Sequence, residues 1–417
     1  MRILVHTIFY KPELTGVAKY TGELCEWLTA QGHEVRVIAP PPYYPQWRIQ
    51  EPYGQWRYKS EVLEGVHIRR CPIWLPRRPS GLARSLYSLS FMLTSLPVVL
   101  REVLRGPEMV FVIEPSFMNL PSAWLASRIA GAVAWLHIQD FEIDLAYDLG
   151  QLRHGRRLAM AIESWLMKRF DIVSSITRRM IGKAANKGLP SENLYMLPNW
   201  VDTSIIRPLP HPSPMRQQVG ISTDRVVAMF SGSLGTKQGV ETIIDAARTL
   251  VDDPTLIFII CGEGASSEAL QVRARDLNNV RFLPLQSAER LNNLLNLADV
   301  HLLPQLPSAA GSVMPSKLIG MLASGRPVVA ACSPGTEIAE LVTGCGLTVE
   351  PGDSGAFAAA IRTLAHDARV RAQLGESARR RALERFSQGS ILGDFERELN
   401  RRIPSVASHK AAGFASE

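Results

Sequence analysis

Two strand–helix–strand alternations, one in each half of the chain, constrain the fold more than any other feature. Arg2-Ile-Leu-Val-His6 opens an apolar strand that runs towards Tyr10 and enters a loop, Lys11 to Gly16. Leu24, Trp27 and Leu28 then recur at helical spacing within 18–30, with Gly32 placed as a carboxyl-end cap. Residues 34–39 read as a second strand, stopped by Pro40-Pro41-Pro42. A strand, a helix and a strand in about 40 residues is the crossover unit of a parallel sheet. Further strands are predicted over 109–113, 132–137 and 171–175, with helices over 121–130 and 156–169 between them. The pattern restarts with strands over 226–230, 255–261, 280–283, 300–304 and 327–331, and helices over 240–250, 288–297 and 316–323.

A chain of 417 residues exceeds one ordinary domain, and a composition shift marks the seam. Pro198, Pro208, Pro210, Pro212 and Pro214 exclude helix and central strand between them. Residues 201–214 therefore read as a linker between an α/β domain over 1–200 and another over 215–385. Residues 367–401 read as helical with a break at Phe386-Ser387, and 404–417 as a disordered polar tail.

The net charge of +7 is unevenly placed. Residues 1–200 hold 24 Lys and Arg against 17 Asp and Glu, whereas 201–417 hold 22 of each. The first half is therefore expected to meet an anionic partner. Zinc-finger spacing, an RNP-like aromatic motif and a Lys/Arg tract are all missing, so nucleic acid is not the expected one; a lipid surface or a diphosphate substrate fits better. Five scattered cysteines without framework or metal spacing read as reduced thiols. The apolar run at the N-terminus breaks at His6, too short for a secretory signal, and a cytoplasmic location is expected.

Residues 82–100 are mostly apolar, with an uncharged run of 16 residues from Ser85 to Leu100, short of a bilayer span. From 69 to 105 there are seven arginines, among them Arg77, Arg78, Arg84 and Arg101, and one acid, Glu102. Two readings stand side by side: a buried helix, or a segment lying on a membrane with arginines on lipid phosphate.

Chemistry in an open parallel sheet sits beyond the carboxyl ends of its strands. Gly16 opens a helix there, where amides and the helix dipole favour an anion, although a tight turn explains it equally well. The loop Met229-Phe-Ser-Gly-Ser-Leu-Gly-Thr-Lys-Gln-Gly239 carries three glycines, hydroxyls and Lys237 between a strand and a helix, a composition that can cradle a diphosphate. It matches neither the P-loop nor the dinucleotide fingerprint. Cys261-Gly-Glu-Gly264 ends another strand. His137 falls at a strand end and reads either as an active-site residue or as a hydrogen-bonded core histidine. It has no partner at metal-ligand spacing, and no metal is expected.

These segments together resemble the retaining glycosyltransferases of family 4, most closely those of colanic-acid-type exopolysaccharide synthesis. The resemblance covers 1–400 and rests on Phe9–Gly22, Gly32-His-Glu-Val35, His137-Ile-Gln-Asp140 and Leu197-Pro-Asn-Trp-Val-Asp202. It continues through Ser231–Gly239, Cys261–Gly264 and Met314–Val329. It implies a GT-B fold: two Rossmann-like α/β domains facing each other across a cleft, with acceptor on the first and nucleotide sugar on the second. A C-terminal helix over 386–401 is implied to return to the first domain.

The resemblance further implies front-face displacement, with the leaving diphosphate assisting deprotonation of the acceptor hydroxyl. Gly16, Ser231, Gly232, Ser233, Gly235 and Lys237 match phosphate-contact positions, and His137 matches the histidine facing the transferred sugar. Glu263 joins the donor-binding set. The sequence departs from the family where an Arg and a Lys are usual, at Ser233 and Gln238. Ser312 and Gly320 stand where a glutamate pair is usual, the second of which holds the ribose. Lys317 and Glu337 are the expected substitutes.

The implied partners are a nucleotide sugar, a lipid-linked oligosaccharide acceptor and the inner membrane surface; no cofactor is implied. Two alternatives remain at this level: an epimerase-like GT-B enzyme acting on UDP-sugars, and a non-catalytic nucleotide-sugar-binding subunit.

Overall fold

The computed structural model describes residues 1–13, 16–44, 46–76, 81–148, 154–235, 238–306 and 315–403. Contacts divide the chain into two units, Met1–Asn199 with Leu392 onward, and Trp200–Ile391. Lys237, Arg77, Arg78, Ser312 and the tail 404–417 lie outside the described residues.

Unit 1 is an eight-stranded sheet: β1 (Arg2–His6), β2 (Glu34–Ala39), β3 (Lys59–Leu63), β4 (Val66–Arg70), β5 (Met109–Glu114), β6 (Val133–Ile138), β7 (Ile172–Ser175) and β8 (Leu194–Met196). Their order is β3-β4-β2-β1-β5-β6-β7-β8, parallel except for the β3–β4 edge hairpin. That hairpin turns through Glu64 (φ 49°) and Gly65 (φ 79°), the paired positive φ of a two-residue turn matched to strand twist. β5 is buried throughout, as a strand covered on both faces must be.

The helices of unit 1 are α1 (Gly16–Ala30), α2 (Gly81–Val103), α3 (Leu120–Ala130), α4 (Glu142–Asp148), α5 (Arg156–Met167) and α6 (Arg178–Asn186). Side chains of α2, α3, α5 and α6 share one core with Leu4, Val110, Val112, Leu136 and Val173 of the sheet. The returning C-terminal helix packs on other side chains of the sheet. Its Phe395 is fully buried, with ring centroids 5.0 Å from Trp135, 6.0 Å from Phe111 and 6.4 Å from Tyr195.

Both sequence readings of 82–100 have a counterpart in α2. Phe91, Val99 and Val103 enter the core, while Leu86, Leu93 and Leu100, seven residues apart, are exposed. Ser85–Val103 is long and apolar enough to cross a membrane by composition, and 39% of it is buried inside the protein.

Unit 2 holds β9 (Val226–Ser231), β10 (Leu256–Cys261), β11 (Val280–Leu283), β12 (Val300–Leu303), β13 (Val328–Ala331) and β14 (Gly346–Val349). All are parallel, in the order β11-β10-β9-β12-β13-β14. Its helices are α7 (Met215–Gln218), α8 (Glu241–Thr249), α9 (Ser267–Arg273), α10 (Leu291–Leu295), α11 (Lys317–Ala323), α12 (Glu337–Val342), α13 (Ser354–His366) and α14 (Ala368–Phe386). The helix α15 (Gln388–Arg402) begins after a one-residue interruption at Ser387.

The proline-rich stretch is strapped to unit 2 rather than hanging free. Arg207 N–H and Leu209 N–H donate to the side chains of Asn292 and Asn296 at 3.0 Å each. Arg379 donates to Thr203 O, Ile206 O and Ala323 O at 2.7–2.8 Å. Because proline lacks an N–H and breaks the repeat, side chains from other elements supply the hydrogen bonds that regular structure would have provided.

Candidate functional site

In unit 2 the carboxyl ends of β9 and β10 carry two glycine turns locked together. Gly232 and Gly262 both take φ 147°, a region that L side chains rarely enter. Gly232 N–H donates to Cys261 O (3.0 Å) and Leu234 N–H to Glu263 O (2.9 Å). A Cβ on Gly262 would stand 1.9 Å from Gly232 O, and one on Gly264 2.5 Å from Leu234 O. Glycine at both places is therefore a steric requirement of the cradle.

Lys317, the first residue of α11, lies against this cradle. A Cβ on Gly232 would meet its Cδ and Nζ at 3.4 Å. Its Nζ sits 4.0 Å from the Phe230 ring centroid and donates to Gln238 Oε1 at 3.1 Å. Those are its partners among the described residues. Desolvation pushes its ammonium down to about 7. Lys317 and Gln238 meet, so two positions that depart from the family pattern are spatial neighbours.

Ser231 is half-buried, whereas Ser233 and Glu263 are exposed on the turns, and Gly235 follows in the same loop. Glu337 opens α12 after β13, two strands from β9 at the same edge of the sheet. A side chain at Gly320 would meet Leu295 Cδ1 at 3.5 Å, ordinary contact, so sterics do not dictate the missing glutamate.

In unit 1 the loop after β1 is pinned from two sides. Lys11 crosses α1 over Gly22, where a Cβ would be 2.6 Å from its methylenes, and its Nζ reaches Glu26 at 2.6 and 2.7 Å. Glu13 is buried and accepts from Tyr43 N–H (2.8 Å) and Tyr44 N–H (2.9 Å), tying this loop to the one after β2. Burial raises the Glu13 carboxyl to about 7 despite those bonds. Gly16 is the exposed first residue of α1.

His137 is 4% exposed at the end of β6, and both its ring nitrogens are engaged. Gln139 Nε2 lies 3.0 Å from His137 Nε2 and donates to Asn199 Oδ1 at 3.2 Å. An amide nitrogen is only a donor, so His137 Nε2 accepts and its Nδ1–H donates to Ser174 Oγ at 2.9 Å. Ser174 Oγ also accepts from Trp135 Nε1 at 2.9 Å. The ring stacks on Phe111 at 5.9 Å and 17°, and burial lowers its pKa to about 3. In this structure both ring nitrogens are hydrogen-bonded to protein partners, and burial keeps the ring neutral.

Gln139 bonds the ring and Asn199 bonds Gln139, and sequence reasoning singles out neither. Both lie inside quoted motifs, but neither is titratable, so no charge pattern singled them out. Asp140 follows Gln139, its carboxyl raised to about 6 by burial and then by the charge of Glu142. Arg84 and Arg101 both belong to α2, and Arg101 is exposed in its last turn. Among the described residues no three His, Cys, Asp or Glu side chains gather as a metal site.

Residues 15–200 match the model of the glycosyl transferase 4-like domain and 213–381 that of glycosyl transferases group 1. WcaI of Escherichia coli (strain K12), whose name assigns it to colanic acid biosynthesis as a glycosyl transferase, is 40% identical over 87% of this chain and 91% of its own. A GDP-mannose-dependent phosphatidylinositol monomannoside mannosyltransferase of Mycolicibacterium smegmatis is 31% identical over 52% of this chain and 58% of its own.

Among solved structures, the sucrose-phosphate synthase of Thermosynechococcus elongatus superposes with a TM-score of 0.75 at 16% identity, covering 96% of this chain and all of the other. Anabaena HepE in complex with UDP reaches 0.69 at 19%, again over 96% and 100%. Such distant likenesses speak to the fold, which is GT-B, with two parallel-sheet α/β units. With this fold, both family models and a relative matched along nearly its whole length, the chain belongs to the family 4 glycosyltransferases.

Proposed function

We propose that this glycosyltransferase moves a sugar from a GDP- or UDP-sugar to a polyprenyl-diphosphate-linked oligosaccharide in exopolysaccharide synthesis of the colanic-acid type, with retention of configuration. The observation that carries the donor half is Lys317: a desolvated ammonium with no carboxylate partner among the described residues, held against a glycine cradle. A diphosphate supplies the charge that this lysine lacks. The name of the Escherichia coli relative and the UDP and UDP-glucose complexes of HepE support the same reading.

In this reading Lys317 and Lys237 neutralise the diphosphate while Ser231, Ser233 and the amides of Ser233 and Gly235 donate to its oxygens. Glu263 and Glu337 accept from hydroxyls of the donor. The phosphate-contact role of Gly16 follows from the resemblance alone. The bond from sugar C1 to the diphosphate oxygen breaks, the acceptor oxygen bonds to C1 on the same face, and the acceptor proton passes to a diphosphate oxygen. Catalysis then consists of positioning and of stabilising charge that develops on the leaving group, with no resident metal or cofactor. His137 is a positioning residue that acts through Gln139.

The acceptor half rests on charge. The whole positive excess lies in the first half of the sequence, and α2 exposes a leucine stripe beside Arg101. Arg77, Arg78, Arg84 and Arg101 would meet lipid phosphate on the cytoplasmic face of the inner membrane, where a lipid-linked acceptor resides. A thermal-shift screen over GDP-, UDP-, dTDP- and ADP-sugars, followed by transfer to a lipid extract with analysis of the new anomeric linkage, tests the whole proposal. Absence of any donor-induced shift, or product formed equally well without lipid, refutes it.

A further inference from the structure

The helix α5 buries Leu166 and Met167 in the core and still carries a second apolar face towards solvent. Its one acid, Glu163, is fully buried and pairs with Lys187, which also meets Asp144 at 3.2 Å. Beyond Arg156 and Arg157 in its first turn, the helix exposes Leu158 (67% exposed), Ile162 (46%) and Trp165 (55%), spaced four and three apart on one face. A surface helix of a globular protein ordinarily presents polar residues on that outer face.

The apolar face does not end with α5. Arg169 stands 3.8 Å over the Trp165 ring and 5.1 Å from the Trp124 ring of α3, bridging the two helices. On α3, Leu125 and Ile129 are exposed one turn apart. The helices α2, α3 and α5 contribute to the same core, and Arg169 links the outer rings of α3 and α5. Charge says what covers this face. Arg157 and Lys168 are exposed at the two ends of α5, and Glu163 is the only acid from 154 to 170. The next acid, Asp171, is paired with Arg128 at 3.1 Å. Apolar side chains between cations, with a tryptophan under a guanidinium, match an anionic lipid interface; twelve residues suffice to lie in its plane and are too few to cross it.

We infer that α5, with Leu125 and Ile129, is an interfacial anchor separate from the arginine-flanked α2. Leu158, Ile162 and Trp165 enter the headgroup boundary of an anionic bilayer, with Arg157 and Lys168 on lipid phosphates. The inference rests on the reading that unit 1 docks on a membrane, and it adds which helix inserts.

The full chain is sedimented with phosphatidylcholine vesicles, with and without phosphatidylglycerol. One variant carries Leu158→Ser, Ile162→Ser and Trp165→Ser; the other carries Arg77→Glu, Arg78→Glu and Arg84→Glu. The serine variant, altered only at exposed positions, should keep its melting temperature and lose about tenfold or more of its partition to anionic vesicles. Brominated lipid should quench part of the protein's tryptophan emission, and Trp165→Phe should remove that part. If the serine variant binds as well as the parent while the arginine variant is released, α5 is not an anchor but the membrane reading stands. If the parent binds no vesicle at all, both fail. If the serine substitutions instead dissolve a dimer without changing vesicle binding, the face belongs to a second copy and the inference is overturned.

Discussion

Replacing Lys317 by methionine should stabilise the protein and disable it at once. The methionine keeps an unbranched side chain as far as the ε position, beside Phe230, and removes the ammonium. In the free protein desolvation holds Lys317 at about 7, against an ordinary value of 10.5. Below pH 7 both the folded and unfolded forms carry the proton, and the buried charge costs its full amount. Between 7 and 10.5 the unfolded chain binds more protons, so the stability of the parent rises with pH across that window. Lys317→Met abolishes the rise and adds about 1–3 kcal/mol at pH 6, a figure discounted because the side chain is only partly buried.

Donor binding runs the other way. A diphosphate returns the proton to Lys317, so above pH 7 binding takes up a proton. Affinity of the parent should then fall by as much as about tenfold per pH unit, or about 1.4 kcal/mol, between pH 7 and 9. Calorimetry of UDP or GDP in buffers of different ionisation enthalpy reads that uptake directly, and melting curves from pH 6 to 9 read the stability. A Lys317→Met protein that melts lower than the parent at pH 6, or that binds nucleotide with undiminished affinity, would refute the reasoning.

Three further outcomes are expected. Lys237→Ala should lower transfer by about 2–4 kcal/mol in kcat/KM with an unchanged melting temperature, because the charge it meets develops as the sugar leaves. His137→Ala should cost about 1–3 kcal/mol of stability by unpairing Ser174 and Gln139, and turnover per folded molecule should fall through loss of Gln139 placement. Since burial lowers His137 to about 3, the pH–rate profile of the parent should contain no step from this residue between pH 5 and 8; a step there that vanishes in the variant contradicts the network. Phe395→Ala should cost about 3–5 kcal/mol by opening a cavity among Phe111, Trp135 and Tyr195, seen in urea unfolding.

The parts of the fold legible in the sequence are those where one physical signal decides. Strands buried on both faces, such as β5 and β10, are unbroken apolar runs, and no other element of that length looks the same. The β3–β4 hairpin went unread because Lys59-Ser-Glu-Val-Leu63 is an exposed edge strand, polar and without a core face to set a period. The break at Ser387 between two helices was legible; which body α15 packs on depends on Phe395 meeting three aromatic rings from distant strands, a contact that local sequence cannot encode.

The site divides along the same line. Glycines at 262 and 264 announce backbone contact in any sequence, and the structure supplies the reason, a turn that would collide with its neighbour if it bore a side chain at either place. Lys317 drew notice only through a departure from the family pattern, and its chemistry comes from three-dimensional facts: a ring beneath it, an amide beside it and no carboxylate within the described surroundings. His137 illustrates the converse. Its position at a strand end is what a reacting group and a scaffold group have in common, and the choice between them lies in Ser174 and Gln139, the first on a neighbouring strand and the second just past the end of its own. A titratable residue is conspicuous in a sequence because it can carry charge. In unit 1 burial holds the histidine neutral between two uncharged partners, and in unit 2 the lysine is desolvated beside a ring and an amide.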